Sequence, residues 1–226
     1  MQYNDIAEFL AGYGIFVSGA AAVTNRLRNG IALSSDVLSL MKSALVIGVP
    51  LARGIFENLD GGPDALYLHH YRQANFLLDR AAFCLAGFLE ENGYRSIPIP
   101  ASQIIDWENQ RGHLSHKLFA VYAGLGWIGR NNLLVCSKYG SRLRLATVLT
   151  EAEFPVYPKM QEFSCGKCRA CIDACPARAI ADEPENFNHK GCYSKIREMT
   201  KERRIPQYIC GICIKVCHPD GRTKET

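Results

Sequence analysis

Residues 165–176 read Cys165-Gly-Lys-Cys168-Arg-Ala-Cys171-Ile-Asp-Ala-Cys175-Pro176. The spacing is C-x2-C-x2-C-x3-C-P, a run that holds iron–sulfur clusters through cysteine thiolates. Spacing by two residues turns successive thiolates inward on one tight loop, so three of them can cap three irons of a single cube. Cys175 sits one turn too far along to close that cube, and in two-cluster domains with this run it ligates the other cluster. Pro176 directs the chain away, and Ala177–Ile180 is expected to begin a helix.

Downstream, Cys192 stands alone and is followed by Cys210-Gly-Ile-Cys213-Ile-Lys-Val-Cys217. The final C-x2-C-x3-C repeats the last three positions of the first run, with its first member displaced upstream to Cys192. The intervening Tyr193–Ile209 is expected to be a helix and a loop. The reading is two crossed [4Fe–4S] ligand sets, as in a bacterial ferredoxin. Cluster one takes Cys165, Cys168, Cys171 and Cys217; cluster two takes Cys175, Cys192, Cys210 and Cys213. Here His218 stands where a proline would follow the last cysteine, and Pro219 comes one later. Two alternatives fit the spacing less well. A zinc site of two C-x2-C pairs leaves Cys171, Cys175, Cys192 and Cys217 without a role. A single cluster leaves spare thiols. Cys84 and Cys136 lie in apolar segments and read as small core residues.

Working back from the cysteines, Glu151–Lys159 (EAEFPVYPK) reads as a linker or strap, and the expected boundary lies near residue 155. Residues before it alternate helices and strands. Asp5–Ala11 starts a short helix. Ser43–Val49 (SALVIGV), ending at Pro50, reads as a buried strand. Tyr67–Asn92 is the clearest helix: Leu77, Leu78, Ala81, Ala82, Leu85, Phe88 and Leu89 recur at three- and four-residue steps, and Asn92-Gly93 supplies a stop. Arg95–Pro100 reads as a strand and Gly112–Ala123 as a helix. Asn132–Ser137 and Leu143–Leu149 read as strands around a Tyr139-Gly140 turn.

Composition sets the class. The chain has 226 residues, of which 48% are apolar, enough for a real core. The formal charge of +4 is modest and lacks the concentrated basic face of a nucleic-acid binder. Eight cluster thiolates and two oxidised cubes would bring it to about neutral. The longest uncharged apolar stretch, Phe9–Val23, falls short of the ~18 residues of a membrane helix, and no basic start precedes it as in a secretory leader. With eight of ten cysteines crowded into Cys165–Cys217, the expectation is a cytoplasmic protein, kept anaerobic and reduced, rather than a disulfide scaffold.

Within the body, ahead of the clustered cysteines, lies His116–Thr150, HKLFAVYAGLGWIGRNNLLVCSKYGSRLRLATVLT. Gly124, Gly126 and Gly129 fit the letters of G-x-G-x-x-G. A dinucleotide site needs strand, turn, helix, whereas here a helical segment precedes and a strand-like one follows. The glycines are better suited to a tight backbone path beside something large and flat. AGLGWIGRNNLLV, then YGS, then CGKCRACIDACPARAI, then a lone cysteine and a last C-x2-C-x3-C, resembles epoxyqueuosine reductase and its relatives among cobalamin-dependent reductases, including the reductive dehalogenases. The resemblance covers roughly residues 40–219. It implies an α+β fold. Residues 1–155 form an α/β sandwich-like body (cobalamin-reductase/nitroreductase-like), and residues 156–226 a bacterial ferredoxin-like two-cluster module. It further implies cobalamin in the body and one cluster near the corrinoid. Two departures stand out. Ile97-Pro98-Ile99-Pro100-Ala101-Ser102 lacks the acid the family carries there, with Asp106 and Glu108 out of register. The helical-repeat region of the tRNA-modifying members does not follow, so tRNA is not the expected substrate.

On this resemblance Gly124, Gly126, Trp127, Gly129 and Asn131 are the candidate cofactor-binding residues, and Tyr122, His116 and Arg130 the candidate catalytic ones. Tyr139 and the run His69, His70, Tyr71 and Arg72 are further proton donors. His113 and His116, three apart, are expected on one helix face. Trp107 and Trp127 suit a macrocycle or the core. Lys195–Arg204 (KIREMTKERR) is a basic stretch that could dock an acidic ferredoxin or flavodoxin. The expected function is an iron–sulfur reductase. The alternatives are an electron carrier that reduces a partner's corrinoid, and a nucleic-acid-binding module with structural clusters.

Overall fold

The computed structural model describes residues 1–155 and 165–218. The second half of the expected strap, residues 156–159, and Pro219 lie outside the described residues. By compactness the chain divides into two units. One comprises Met1–Val49, Ala74–Leu125 and Arg144–Gln161; the other comprises Pro50–Gln73, Gly126–Leu143 and Glu162–Thr226.

The first unit is built on a four-stranded sheet of order β1-β2-β6-β3. Its strands are β1 (Val17–Ala22), β2 (Ser43–Pro50), β3 (Ser96–Ile99) and β6 (Leu143–Thr150). β1 runs antiparallel to β2, from Val17 opposite Gly48 to Ala22 opposite Ser43. β3 runs antiparallel to β6, from Ser96 opposite Thr150 to Ile99 opposite Thr147. β2 is buried from Ser43 to Gly48 on both faces, so it needs cover on both sides. On one face Leu45, Ile47, Ala146 and Val148 meet two helices, α1 (Tyr3–Ala11) and α5 (Ala65–Glu91). From α1 come Ile6 and Leu10, one turn apart; from α5 come Leu78, Ala81, Ala82, Leu85 and Leu89. Phe9 and Phe88 stack at 4.5 Å between ring centroids at the rim. Each fully buried Leu or Ile contributes roughly 1.5–3 kcal/mol by leaving water. On the other face α6 (His116–Tyr122) packs on β1. The approach is so close that a Cβ at Gly19 would lie 2.8 Å from the Ala123 carbonyl oxygen.

The second unit holds a small hairpin, β4 (Trp127–Ile128) with β5 (Leu134–Val135), paired Trp127 to Val135 and Ile128 to Leu134. Around it stand short helices: α4 (Arg53–Glu57), α7 (Ala170–Ala174), α8 (His189–Glu202) and α9 (Ile212–Lys215), with a 3-10 turn at Pro184–Asn186. α9 packs on both α4 and α7. Lys215 Nζ donates to the carbonyls of Leu59 (2.6 Å) and Glu57 (3.4 Å), a cation closing the C-terminal end of α4.

The mixed architecture, a helix-covered sheet with a cysteine-bearing helical module, agrees with the expected α+β class. The long helix, the buried strand Ser43–Pro50 and the N-terminal helix stand where periodicity puts them. Three expectations are corrected. Residues 112–115 are not helical, because Ser115 caps α6 by accepting from the Leu118 amide; His113 therefore precedes the helix and shares no face with His116. Ala177–Ile180 forms no helix. Asn132–Ser137 shortens to Leu134–Val135 and pairs with Trp127–Ile128 rather than with β6, leaving only an isolated bridge, Cys136 to Gly140, at the turn. The order at the glycines is helix α6, loop, strand β4, which excludes a dinucleotide loop.

Candidate iron–sulfur centre

The cysteines are delivered by short elements with little freedom. Cys171 lies in α7, Cys213 in α9 and Cys192 in the first turn of α8, whose cap residue Asn188 accepts from the Gly191 amide at 2.9 Å. Gly211, between Cys210 and α9, has φ +86°, and a Cβ there would lie 2.8 Å from Leu59 Cδ1. Only glycine meets both demands.

The thiols fall into two neighbourhoods. Burial, followed by the charges of Cys217, Cys165 and Cys168, pushes the Cys171 thiol up to about 11. Burial raises Cys217 too, with Cys165 and Cys168 adding and a hydrogen bond from Ser141 opposing. In the other neighbourhood, burial and then Cys210 and Cys175 push Cys192 up to about 11. Burial, then Cys210 and Cys192, raise Cys213 strongly, with smaller contributions from Cys171 across the divide and from Cys175. Such thiols resist ionising together unless cationic metal sits among them. A cavity of about 410 Å³ is lined by Cys165, Cys168, Cys171 and Cys217, with Trp127 and Asn131 on its wall. Among the described residues no three His, Cys, Asp or Glu groups close on a single-ion point. Thiolates around a cube bind separate irons and are spread more widely than ligands of one ion. The donor set, its crowding and the cavity therefore fit iron–sulfur clusters.

Three candidate residues of the glycine loop lie beside this cavity. Trp127, only 6% exposed, directs its indole Nε1–H at Cys165 Sγ, 3.4 Å away. Arg130 is buried, and its guanidinium donates to the carbonyls of Cys168 (3.1 Å) and Gly166 (2.9 Å). Its Nε lies 3.8 Å from Asp182, which also pairs with Arg169. The Arg169 hydrogen bond, followed by the charges of Arg169 and Arg130, holds the Asp182 carboxyl below the usual range. Asn131, also buried, donates from Nδ2 to Ser141 Oγ at 3.1 Å. Gly126 and Gly129 serve the hairpin. A Cβ on Gly126 would fall 2.1 Å from the Val135 carbonyl oxygen, and one on Gly129 2.5 Å from Val135 Cγ2.

The other candidates stand elsewhere. Gly124 belongs to the first unit and lines a recess of about 200 Å³ with Tyr3, Ser18, Gly19, Ala123 and Leu125. Tyr122 is half-buried. His116 has both ring nitrogens engaged: Nδ1 with Thr147 Oγ1 at 2.8 Å and Nε2 with the Pro100 carbonyl at 3.2 Å. A carbonyl only accepts, so Nε2 carries the proton and Nδ1 accepts from Thr147. Burial drives its pKa down to about 4, so the His116 imidazole is neutral at pH 7. His70 Nε2 accepts from the Ala52 amide, and His113 Nδ1 contacts the Ala32 carbonyl. Trp107 is 59% exposed and is not a core residue. Cys136 is buried and accepts from the Tyr139 amide, while Cys84 is half-buried; neither joins the eight. Three residues escaped the sequence reading: Ser141, Asp182 and Asp79. Oδ1 of Asp79 accepts from the Ala101 amide at 2.7 Å, bringing a carboxylate from α5 to the stretch whose own residues have none.

Residues 164–219 match the 4Fe-4S double cluster binding domain. A tetrachloroethene reductive dehalogenase of Desulfitobacterium hafniense is 36% identical over 136 residues, 58% of this chain and 23% of that protein. An epoxyqueuosine reductase of Synechococcus sp. is 34% identical over 110 residues, 46% of this chain and 34% of that protein. The chain thus spans about a quarter and about a third of the length of these two curated relatives. Among solved structures, the epoxyqueuosine reductase of Streptococcus thermophilus superposes with a TM-score of 0.65 at 20% identity, covering 96% of this chain and 66% of that one. A catabolic reductive dehalogenase solved with 3-bromo-4-hydroxybenzoic acid gives a TM-score of 0.72 at 18% identity, covering 90% and 30%. At those identities the structural likeness is one of fold. The cluster domain, the relatives and the fold agree: the chain carries a double [4Fe–4S] cluster-binding domain and is similar to epoxyqueuosine reductases and reductive dehalogenases.

Proposed function

We propose that the chain is a reductase component whose two [4Fe–4S] clusters are held in crossed sets, Cys165, Cys168, Cys171 and Cys217 for one and Cys175, Cys192, Cys210 and Cys213 for the other. The observation that carries the assignment is the cavity. It gathers three thiols of the first run with the last thiol of the second, and none of the remaining four. When bound, the clusters supply one-electron transfer. The terminal acceptor on this reading is a corrinoid, or a substrate beside it, held by the body that contains Tyr122 and Gly124. Support for the corrinoid comes from the reductive dehalogenase relatives and from their fold. The protein's own residues position the ligands: Arg130 ties the first cysteine loop, and Gly211 allows the second.

The electron donor on this reading is an acidic ferredoxin or flavodoxin that docks on α8, close in sequence to Cys192, in a reducing cytoplasmic setting. The basic face is smaller than the raw charge suggests. Lys195 pairs with Glu198 at 2.6 Å, and Arg203 donates to the Asp60 carbonyl. Arg197, over the Tyr193 ring, and Lys201 remain exposed.

Anaerobic purification with iron and cobalt analysis tests the proposal. About eight irons per chain and a cobalamin spectrum altered by the protein are expected. Cys217→Ala and Cys175→Ala then test the crossing. Cys217→Ala removes the cluster of the first run and Cys175→Ala that of the second, as read by electron paramagnetic resonance of each reduced cluster. If each variant instead loses the cluster of its own run, the crossing is wrong. If no corrinoid binds, the acceptor is wrong and the clusters stand.

A further inference from the structure

We propose that Trp127 and Ser141 set the reduction potential of the cluster held by Cys165, Cys168, Cys171 and Cys217, with Asn131 positioning Ser141. The inference rests on the ligand assignment above and concerns what surrounds those ligands. A hydrogen bond to a cysteine sulfur withdraws electron density, and so favours the more negative, reduced state of the cluster it ligates. Two side chains supply such bonds to thiols from opposite ends of the cysteine module. The indole Nε1–H of Trp127 points at Cys165 Sγ at 3.4 Å. Buried Ser141 lies beside Cys217, and hydrogen bonding from its side chain and backbone opposes the rise that burial gives the Cys217 thiol.

The direction of the serine bond follows from its other partner. Asn131 Nδ2 is a donor only, so Ser141 Oγ accepts from it at 3.1 Å. The hydroxyl proton is then free to point at sulfur. Asn131 is itself fixed by the Leu133 amide, which donates to its Oδ1 at 3.3 Å. Trp127, Asn131 and Ser141 are 6%, 4% and 2% exposed, so water does not compete for these bonds and their electrostatic effect is not screened. The second set of thiols is served by main-chain donors: Cys175 accepts from the Ala179 amide at 3.5 Å and Cys210 from the Ile212 backbone. The side-chain substitutions therefore act on one cluster and leave the other as an internal reference.

The experiment is a potentiometric titration of the full-length, cluster-loaded protein, following both clusters by electron paramagnetic resonance. In Trp127→Phe, which keeps the ring and loses the N–H, one midpoint moves to a more negative potential and the other stays. Ser141→Ala does the same, and Ser141→Thr restores the native value. Asn131→Ala shifts the same midpoint, and adds little to Ser141→Ala because it acts through that serine. Variants that hold about eight irons with both midpoints unmoved overturn the inference while leaving the ligand assignment intact. Wild-type protein that takes up no iron overturns both. If Trp127→Phe fails to assemble, the wild type labelled with indole-15N tryptophan decides. A 15N coupling to a reduced cluster that persists in Trp107→Phe supports the bond, and its absence sinks it.

Discussion

Arg130 is tied into the first cysteine loop more firmly than its place in the sequence suggests. From sequence it is a cation beside a glycine loop, a natural catalytic candidate. In the structure both terminal guanidinium nitrogens donate to carbonyls of the first cysteine loop, and Asp182 balances the charge. Arg130→Ala is expected to lose roughly half the iron, a drop in affinity of the 10–100-fold order typical of outer-shell partners. Arg130→Lys is not expected to rescue it, since an ammonium cannot span two carbonyls as a planar fork does. Iron analysis of the two variants checks this. His116 makes a prediction in pH. Its folded pKa, about 4, lies below its unfolded value of about 6.5, so the unfolded chain binds the extra proton. The stability it contributes is complete above pH 6.5, is lost as pH falls towards 4, and is constant below that. The loss is at most a few kcal/mol. Denaturant melts between pH 7.5 and 4 should show this slope in the wild type and a shallower one in His116→Gln.

Among elements, the legible ones were those whose own pattern suffices. The step of three and four from Leu77 to Leu89 describes α5 because that face meets the sheet along the helix. SALVIGV describes β2 because both of its faces are covered. Elements set by a single distant contact were not legible. α6 starts at His116 rather than near Gly112 because one hydroxyl, that of Ser115, takes the Leu118 amide. Ser115→Ala should cost ~1 kcal/mol, lowering the thermal midpoint by roughly 2–4 °C, measurable by circular dichroism. The hairpin β4–β5 was likewise hidden, since two-residue strands carry no periodicity. Its signature is Gly126, whose missing side chain admits the Val135 carbonyl. Gly126→Ala should therefore cost ~3 kcal/mol or more and displace Trp127, with iron lost from the cluster of the first run.

For the whole molecule, a double [4Fe–4S] cluster domain was readable from the cysteine spacing alone, but the surroundings of the cysteines were not. Residues 126–143 cluster with the cysteine-bearing segment, through bonds such as Trp127 to Cys165 that no local pattern announces. Ser141 was visible only as part of a YGS triplet, and Asp182 carried no signal. The two units also differ in what holds them. The sheet unit has a continuous apolar core from Ile6 to Phe154, whereas the cysteine unit relies on Leu51, Phe56, Leu59, Tyr67, Trp127, Leu134 and Val135, and among the described residues after Cys165 adds only Ala179, Ile180, Met199 and Ile209. Removing iron with a chelator under reducing conditions should loosen the cysteine unit and spare the sheet. Hydrogen exchange should rise across residues 165–218 and stay slow in β2 and β6.

The crossed ligand sets proposed above, with Cys217 in place of Cys175 in the first, also have a consequence in polymer terms. A cluster that binds Cys165 and Cys217 is a covalent cross-link closing a loop on the order of 50 residues, and the second cluster closes another loop threaded through the same segment. By the chain-entropy estimate used for disulfides, a loop of that length restricts the unfolded chain by about 4 kcal/mol. Neither loop can close until nearly all of the module has left the ribosome, so cluster insertion becomes a late step that locks an already collapsed chain.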